Sequence, residues 1–198
     1  MDRNKRCLYV AGLFLVFLLS ACAGGKPVTL RSYSPAFTAD LSAYQGKRVY
    51  LMNFDNQAQN TTNFAYFSPD KAFVYSGDSL IHNYFWYAFE KAFAGLGMTV
   101  ANEDKPDLKA PAMWLTLKSV TDDKYEIEVT INKVDYLVFR KMYTITGDPV
   151  PEANRTKEFL EKRAYQMTNQ LIQTILTDPA FKEAFFKTAA ELASPPGR

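Results

Sequence analysis

Both cysteines of this 198-residue chain, Cys7 and Cys22, lie within its first 22 residues. Everything that follows has to fold with no disulfide and no cysteine-ligated metal, so its stability rests on burying apolar side chains. The composition allows that: 47% of the residues are apolar and 15% are aromatic. A single histidine, His82, further narrows the chemistry, because any histidine-dependent mechanism must pass through it.

The first 22 residues read as a secretory signal. Arg3, Lys5 and Arg6 precede an uncharged apolar run, Leu8 to Leu19, and small residues close it. The run is too short for a transmembrane span, which needs about 20 apolar residues. The closing Leu19-Ser20-Ala21-Cys22 resembles the lipobox of bacterial lipoproteins, in which cleavage before the cysteine is coupled to its acylation. That resemblance implies a signal peptide over 1–21 and a membrane anchor at acylated Cys22. Ala23, in place of an aspartate, points to the periplasmic face of the outer membrane. Loss of the signal removes Arg3, Lys5, Arg6 and Asp2 and brings the formal charge from +2 to zero. No basic excess remains for nucleic acid, and none is expected as a partner.

Gly24, Gly25, Pro27 and Pro35 lie in a stretch without periodicity, so residues 22–45 are expected to be the lipidated cysteine and a flexible tether. The folded domain is expected over 46–190, with a disordered tail at 191–198. Within the domain, Arg48–Phe54 is rich in strand formers, and a polar loop, Asp55 to Asn63, follows. Phe64–Phe67 and Ala72–Tyr75 flank Ser68-Pro69-Asp70-Lys71, type I turn chemistry that predicts a hairpin. A helix is expected from a cap at Asp78 or Ser79 to the stop at Gly95-Leu96-Gly97. Strands follow at Met98–Ala101, Ala112–Thr121, Tyr125–Ile131 and Tyr136–Thr146. The first of the last two alternates apolar with polar. A long amphipathic helix from Thr156 to Leu176 and a short one opening at Asp178-Pro179 complete the order. This order predicts an α+β domain: a mixed, mostly antiparallel sheet with helices packed on one face, plus an aromatic hairpin.

The lipobox, the tether, the helix ending Ala92-Phe-Ala-Gly-Leu-Gly-Met-Thr-Val100, the meander and the C-terminal helix with Leu176-Thr177-Asp178 together resemble the YajG-type periplasmic lipoproteins. More distantly, the pattern is similar to the fold of transport-auxiliary and penicillin-binding-protein-activator lipoproteins. The resemblance covers about residues 46 to 187 and implies a non-enzymatic accessory protein of the cell envelope, with another envelope protein as partner.

No phosphate loop, dinucleotide fingerprint or nucleophile elbow is present. His82 falls in the first turn of the aromatic helix, about 50° from the centre of its apolar stripe, where a partly buried ring with a backbone partner is expected. The acidic groups Glu103/Asp104/Asp107, Asp122/Asp123 and Glu126/Glu128 read as solvated turns and faces. Accordingly no catalytic residue, metal or cofactor is expected. The helix itself says more. Ile81, Phe85, Ala88, Phe89, Ala92, Phe93 and Leu96 form one core-facing stripe, which leaves Tyr84, Trp86 and Tyr87 off it. These need a cover or a partner. The hairpin aromatics Phe64, Tyr66, Phe67, Phe73 and Tyr75 could supply the cover as a second small core. Alternatively Tyr66, Phe67, Trp86 and Tyr87 form a platform for a protein partner, since aromatic residues dominate interface energetics. A third option is a hairpin–helix crevice that holds a lipid or other small ligand.

Overall fold

The computed structural model describes residues 25–31 and 33–194; the signal, Cys22 and residues 195–198 lie outside the described residues. Nine strands and three long helices are described. A three-stranded sheet has the order β1-β5-β4, with β1 at Lys26–Thr29, β4 at Ala65–Phe67 and β5 at Phe73–Ser76. The second sheet runs β6-β2-β7-β8-β9, from Thr99–Ala101 (β6) and Arg48–Leu51 (β2) to Ala112–Val120 (β7), Lys124–Lys133 (β8) and Tyr136–Thr146 (β9). The short β3, Asp55–Asn56, pairs with β7 beyond the end of β2. The chain from Arg48 to Asn56 thus behaves as one kinked strand, longer than the apolar run predicts.

The long ladders, β7 with β8 and β8 with β9, are antiparallel; β2 joins β6 and β7 in parallel. Along β8, Tyr125, Ile127, Val129 and Ile131 are buried, while Glu126 and Glu128 are only half-buried. That alternation identifies the face on which the helices pack. Helix α1 (Ile81–Gly95) lies against β3 and β6, α2 (Lys157–Thr177) against β1 and β9, and α3 (Pro179–Ala193) against β8 and β9. The fold class is α+β, as the sequence predicts. The aromatic hairpin forms as well. Lys71 N–H donates to Ser68 O (2.8 Å) across Pro69-Asp70, and Lys71 then takes φ +57°, a type I turn followed by a left-handed residue.

Three expectations are corrected. The tether is part of the fold. β1 pairs in parallel with β5, and Val28, Leu30, Tyr33, Leu41 and Tyr44 are buried. The segment after β1 runs along one polar stripe of α2. Arg31 N–H donates to Tyr165 Oη (2.7 Å), Ala36 N–H to Asn169 Oδ1 (3.1 Å) and Thr38 N–H to Gln173 Oε1 (2.8 Å). Spacing of four residues on a helix puts all three acceptors on one line. Residues 191–193, expected in the tail, belong to α3, and Glu191 pairs with Lys133 at 2.7 Å. Finally, α1 is not capped by Asp78 or Ser79; Leu80 occupies the cap, and Asn63 O accepts the Ile81 N–H (2.8 Å) in place of a side chain.

Candidate functional site

The stripe expected on α1 is buried from Ile81 to Phe93, and the off-stripe residues divide. Tyr84 is not on a free face. It is buried beneath α2, with its Oη 3.3 Å from Thr168 Oγ1. Its cover is α2 and the N-terminal segment, which sequence periodicity of α1 alone cannot place. Trp86 is half-buried and donates from Nε1 to Met52 O (3.0 Å) at the kink between β2 and β3. Tyr87 is 50% exposed and stands edge-on to the Trp86 ring, with centroids 5.3 Å apart and planes at 88°. Tyr87 is thus an exposed aromatic on a rigid support.

This ridge separates two hollows. One, of about 340 Å³, is lined by Leu30, Tyr33, Tyr84 and Ala88, with Arg31 and Lys91 among its charged neighbours. It is not the expected hairpin–helix crevice, because the N-terminal segment and the link Gly77 to Ser79, and no strand of the hairpin, face α1 there. The other, of about 320 Å³, carries Glu90, Glu103 and Asp104 with Asn53, Asn83 and Asn102. Glu103 accepts from the Asn53 side chain and backbone, which fixes its position. The cations Arg31 and Lys91 line the first hollow together with Asp78, whereas the charged residues of the second are carboxylates alone.

The hairpin half of the predicted platform is not there. Tyr66 is 0% exposed, stacked on Tyr75 at 4.6 Å, and its Oη lies 3.2 Å from that of Tyr125. Burial pushes the Tyr66 hydroxyl well above its ordinary pKa and that of Tyr125 up to about 12. Tyr66 therefore cannot touch a partner. Its strand alternation turns it to the main core, and the hairpin adds to that one core without building a second. Phe67 is half-buried and lines a separate hollow with Asn60, Thr61, Pro69 and Lys71. The structure joins Trp86 with Tyr87 but does not bring Tyr66 or Phe67 to them.

His82 is half-buried, and burial lowers its pKa against the opposing pull of Asp55. Its Nδ1 is buried without a hydrogen-bond partner among the described residues, so the expected backbone bond is not made there. Most of the carboxylates are held as expected on surfaces: Asp107 by Arg48 (2.5 Å), Glu126 by Lys124 (2.5 Å) and Glu128 by Lys118 (3.9 Å). Asp122 departs from this. Only 8% exposed, it accepts from Tyr75 Oη (3.0 Å) and from Arg155 Nη2 (3.3 Å), because the β7–β8 turn is closed over by the start of α2.

The fold assembled from these elements is similar to that of a bacterial protein of known structure. Protein XCC0632 from Xanthomonas campestris, of the family DUF330, matches with a TM-score of 0.59 at 8% identity, over 82% of this chain and 99% of that chain. At this identity the likeness concerns the fold. No protein-family model matches the sequence, and no curated protein matches it.

Proposed function

We propose that this chain is a lipid-anchored accessory protein of the bacterial envelope, of the YajG-like kind, that works by binding another envelope protein through the Trp86–Tyr87 ridge. The observation that carries this reading is the pair itself: an exposed tyrosine braced by a tryptophan that is hydrogen-bonded to the sheet. A rigid aromatic loses little conformational freedom on binding, and such residues are the usual anchors of interfaces. The flanking hollows support a partner of matching chemistry. An apolar socket suits Tyr87, and a basic group suits Glu90, Glu103 and Asp104. The anchor rests on the lipobox at Cys22.

A photo-cross-linking amino acid placed at Tyr87 in intact envelopes tests the reading. The expected result is one dominant protein adduct, and Glu90→Lys with Glu103→Lys should weaken it at least tenfold. Lack of any protein adduct at Tyr87, with the anchored protein present at normal level, rules out the ridge as the interface.

A further inference from the structure

Away from the ridge, a groove of about 790 Å³ opens between the C-terminal half of α3 and the start of β2. It falls in the size range of small-molecule sites, about 300–1,000 Å³. Phe186, Ala189, Ala190, Leu192, Ala193 and Pro111 make its apolar lining. Lys47, Arg48 and Lys109 stand at its rim. Arg48 is neutralised by Asp107 (2.5 Å). Lys47 reaches over the Phe186 ring, 5.9 Å from its centroid. Neither Lys47 nor Lys109 has a carboxylate partner among the described residues.

From this combination we infer that the groove binds a single-chain amphiphile with an anionic head, a carboxylate or a phosphate. The floor offers no side-chain hydrogen bond. Ser194, its one hydroxyl, is engaged with Ala190 O (3.0 Å), and the amides of α3 are satisfied within the helix, which leaves only the last carbonyls, beyond Ala190, as free acceptors. A peptide laid there could donate only to those last carbonyls and would leave its other amides unpaired, whereas an alkyl chain loses nothing. The lysines supply the opposite charge for the head. The carbonyl end of α3 repels an anion, so the head belongs beside Lys47 and Lys109, with the chain along Ala189 to Ala193.

The experiment uses the full anchored chain in phosphatidylcholine vesicles. Three diazirine probes of equal length are compared: a hexadecanoic acid, a hexadecyl phosphate and the methyl ester of the acid. Cross-linked peptides are mapped by mass spectrometry. Labelling by the acid, the phosphate or both should concentrate on 46–48, 109–111 and 186–194, and which of the two labels identifies the head group. Ala190→Trp, which fills the floor, and Lys47→Ala with Lys109→Ala, both exposed, should each lower it at least fivefold. The inference is overturned if the ester labels as strongly as the anions, if neither variant lowers the labelling, or if the label falls in the hollow beside Leu30 and Tyr33.

Discussion

Arg155 holds more together than any other side chain at its end of the molecule. Its guanidinium lies on the Phe73 ring, 4.8 Å from the centroid, and forks to Asp70 (2.7 Å) and Asp122 (3.3 Å). It thereby ties the hairpin turn to the β7–β8 turn. Hydrogen bonds from Arg155, Ser68 and the Ala72 amide hold the Asp70 carboxyl well below the usual carboxylate range. Asp122 is nearly buried, and removing Arg155 leaves it with the Tyr75 hydroxyl as its side-chain partner. Arg155→Met should therefore cost about 2 kcal/mol, the scale of a charged hydrogen bond. Arg155→Lys should recover only part of it, because an ammonium cannot fork to two carboxylates over an aromatic ring. The sign of the pH dependence follows from Asp70. A depressed carboxyl stabilises fully above its unfolded pKa, about 4, and that stabilisation drains away as pH falls toward the folded value. In urea titrations the gap between wild type and Arg155→Met should stay constant above about pH 5 and narrow below about pH 4. A gap that widens on acidification refutes this account.

At the scale of elements, what was legible in the sequence is what a single periodicity encodes. The alternation along Tyr125–Ile131, the stripe of α1, the Pro69-Asp70 turn and the Gly97 stop, with φ +76°, each carry a local signature and each form. The segment after β1 carries none, because its partners are more than 130 residues away. A signal for it does exist on the other side. Tyr165, Asn169 and Gln173 recur every four residues on α2, a polar stripe flanking an apolar one, and a stripe of that kind can receive an extended chain. The candidate site was half legible for the same reason. Off-stripe aromatics stand out on a helix, but which of them is covered depends on α2, and so Tyr84 is buried while Tyr87 is not. Asn169 makes the segment testable, since its Oδ1 accepts from both Tyr33 Oη (2.5 Å) and Ala36 N–H (3.1 Å). Asn169→Ala should release residues 31–38 locally at a cost of about 1–2 kcal/mol. In hydrogen exchange the amides of Arg31, Ala36 and Thr38 should speed up about tenfold, the equivalent of 1.4 kcal/mol, while β8 keeps its protection. Unchanged exchange at Ala36 and Thr38 contradicts the role given to Asn169.

The whole molecule has two ends, and its order of contacts says which faces the membrane if Cys22 is acylated. Gly25 is packed so tightly on the hairpin that a Cβ there would sit 2.7 Å from Lys71 O, and Arg155 joins that hairpin to Asp122 at the β7–β8 turn. The opposite end holds the β8–β9 turn, the Lys133–Glu191 pair and the groove of Lys47 and Lys109. The ten residues of β8 put about 30 Å between the ends. Only three Cα–Cα steps lead from Cys22 to Gly25, a reach of at most about 11 Å. With residues 25–31 and 33–45 part of the fold, an anchor at an acylated Cys22 would hold the Gly25 end against the bilayer. Asp148, exposed and next to Gly147, whose amide is bonded to Asp123 O (2.8 Å), marks the near end; exposed Asp135 marks the far one. Acylation leaves the mature chain no other thiol, so fluorophores on Asp148→Cys and Asp135→Cys can each be read against energy acceptors in the membrane surface. Transfer should be strong from residue 148 and weak from residue 135, with apparent heights differing by about 30 Å. Inserting ten Gly/Ser residues between Ala23 and Gly24 should erase much of that difference without altering the thermal midpoint, because it lengthens the leash and leaves the fold alone. Equal transfer from both positions in the uninserted protein is incompatible with a short anchor at this end.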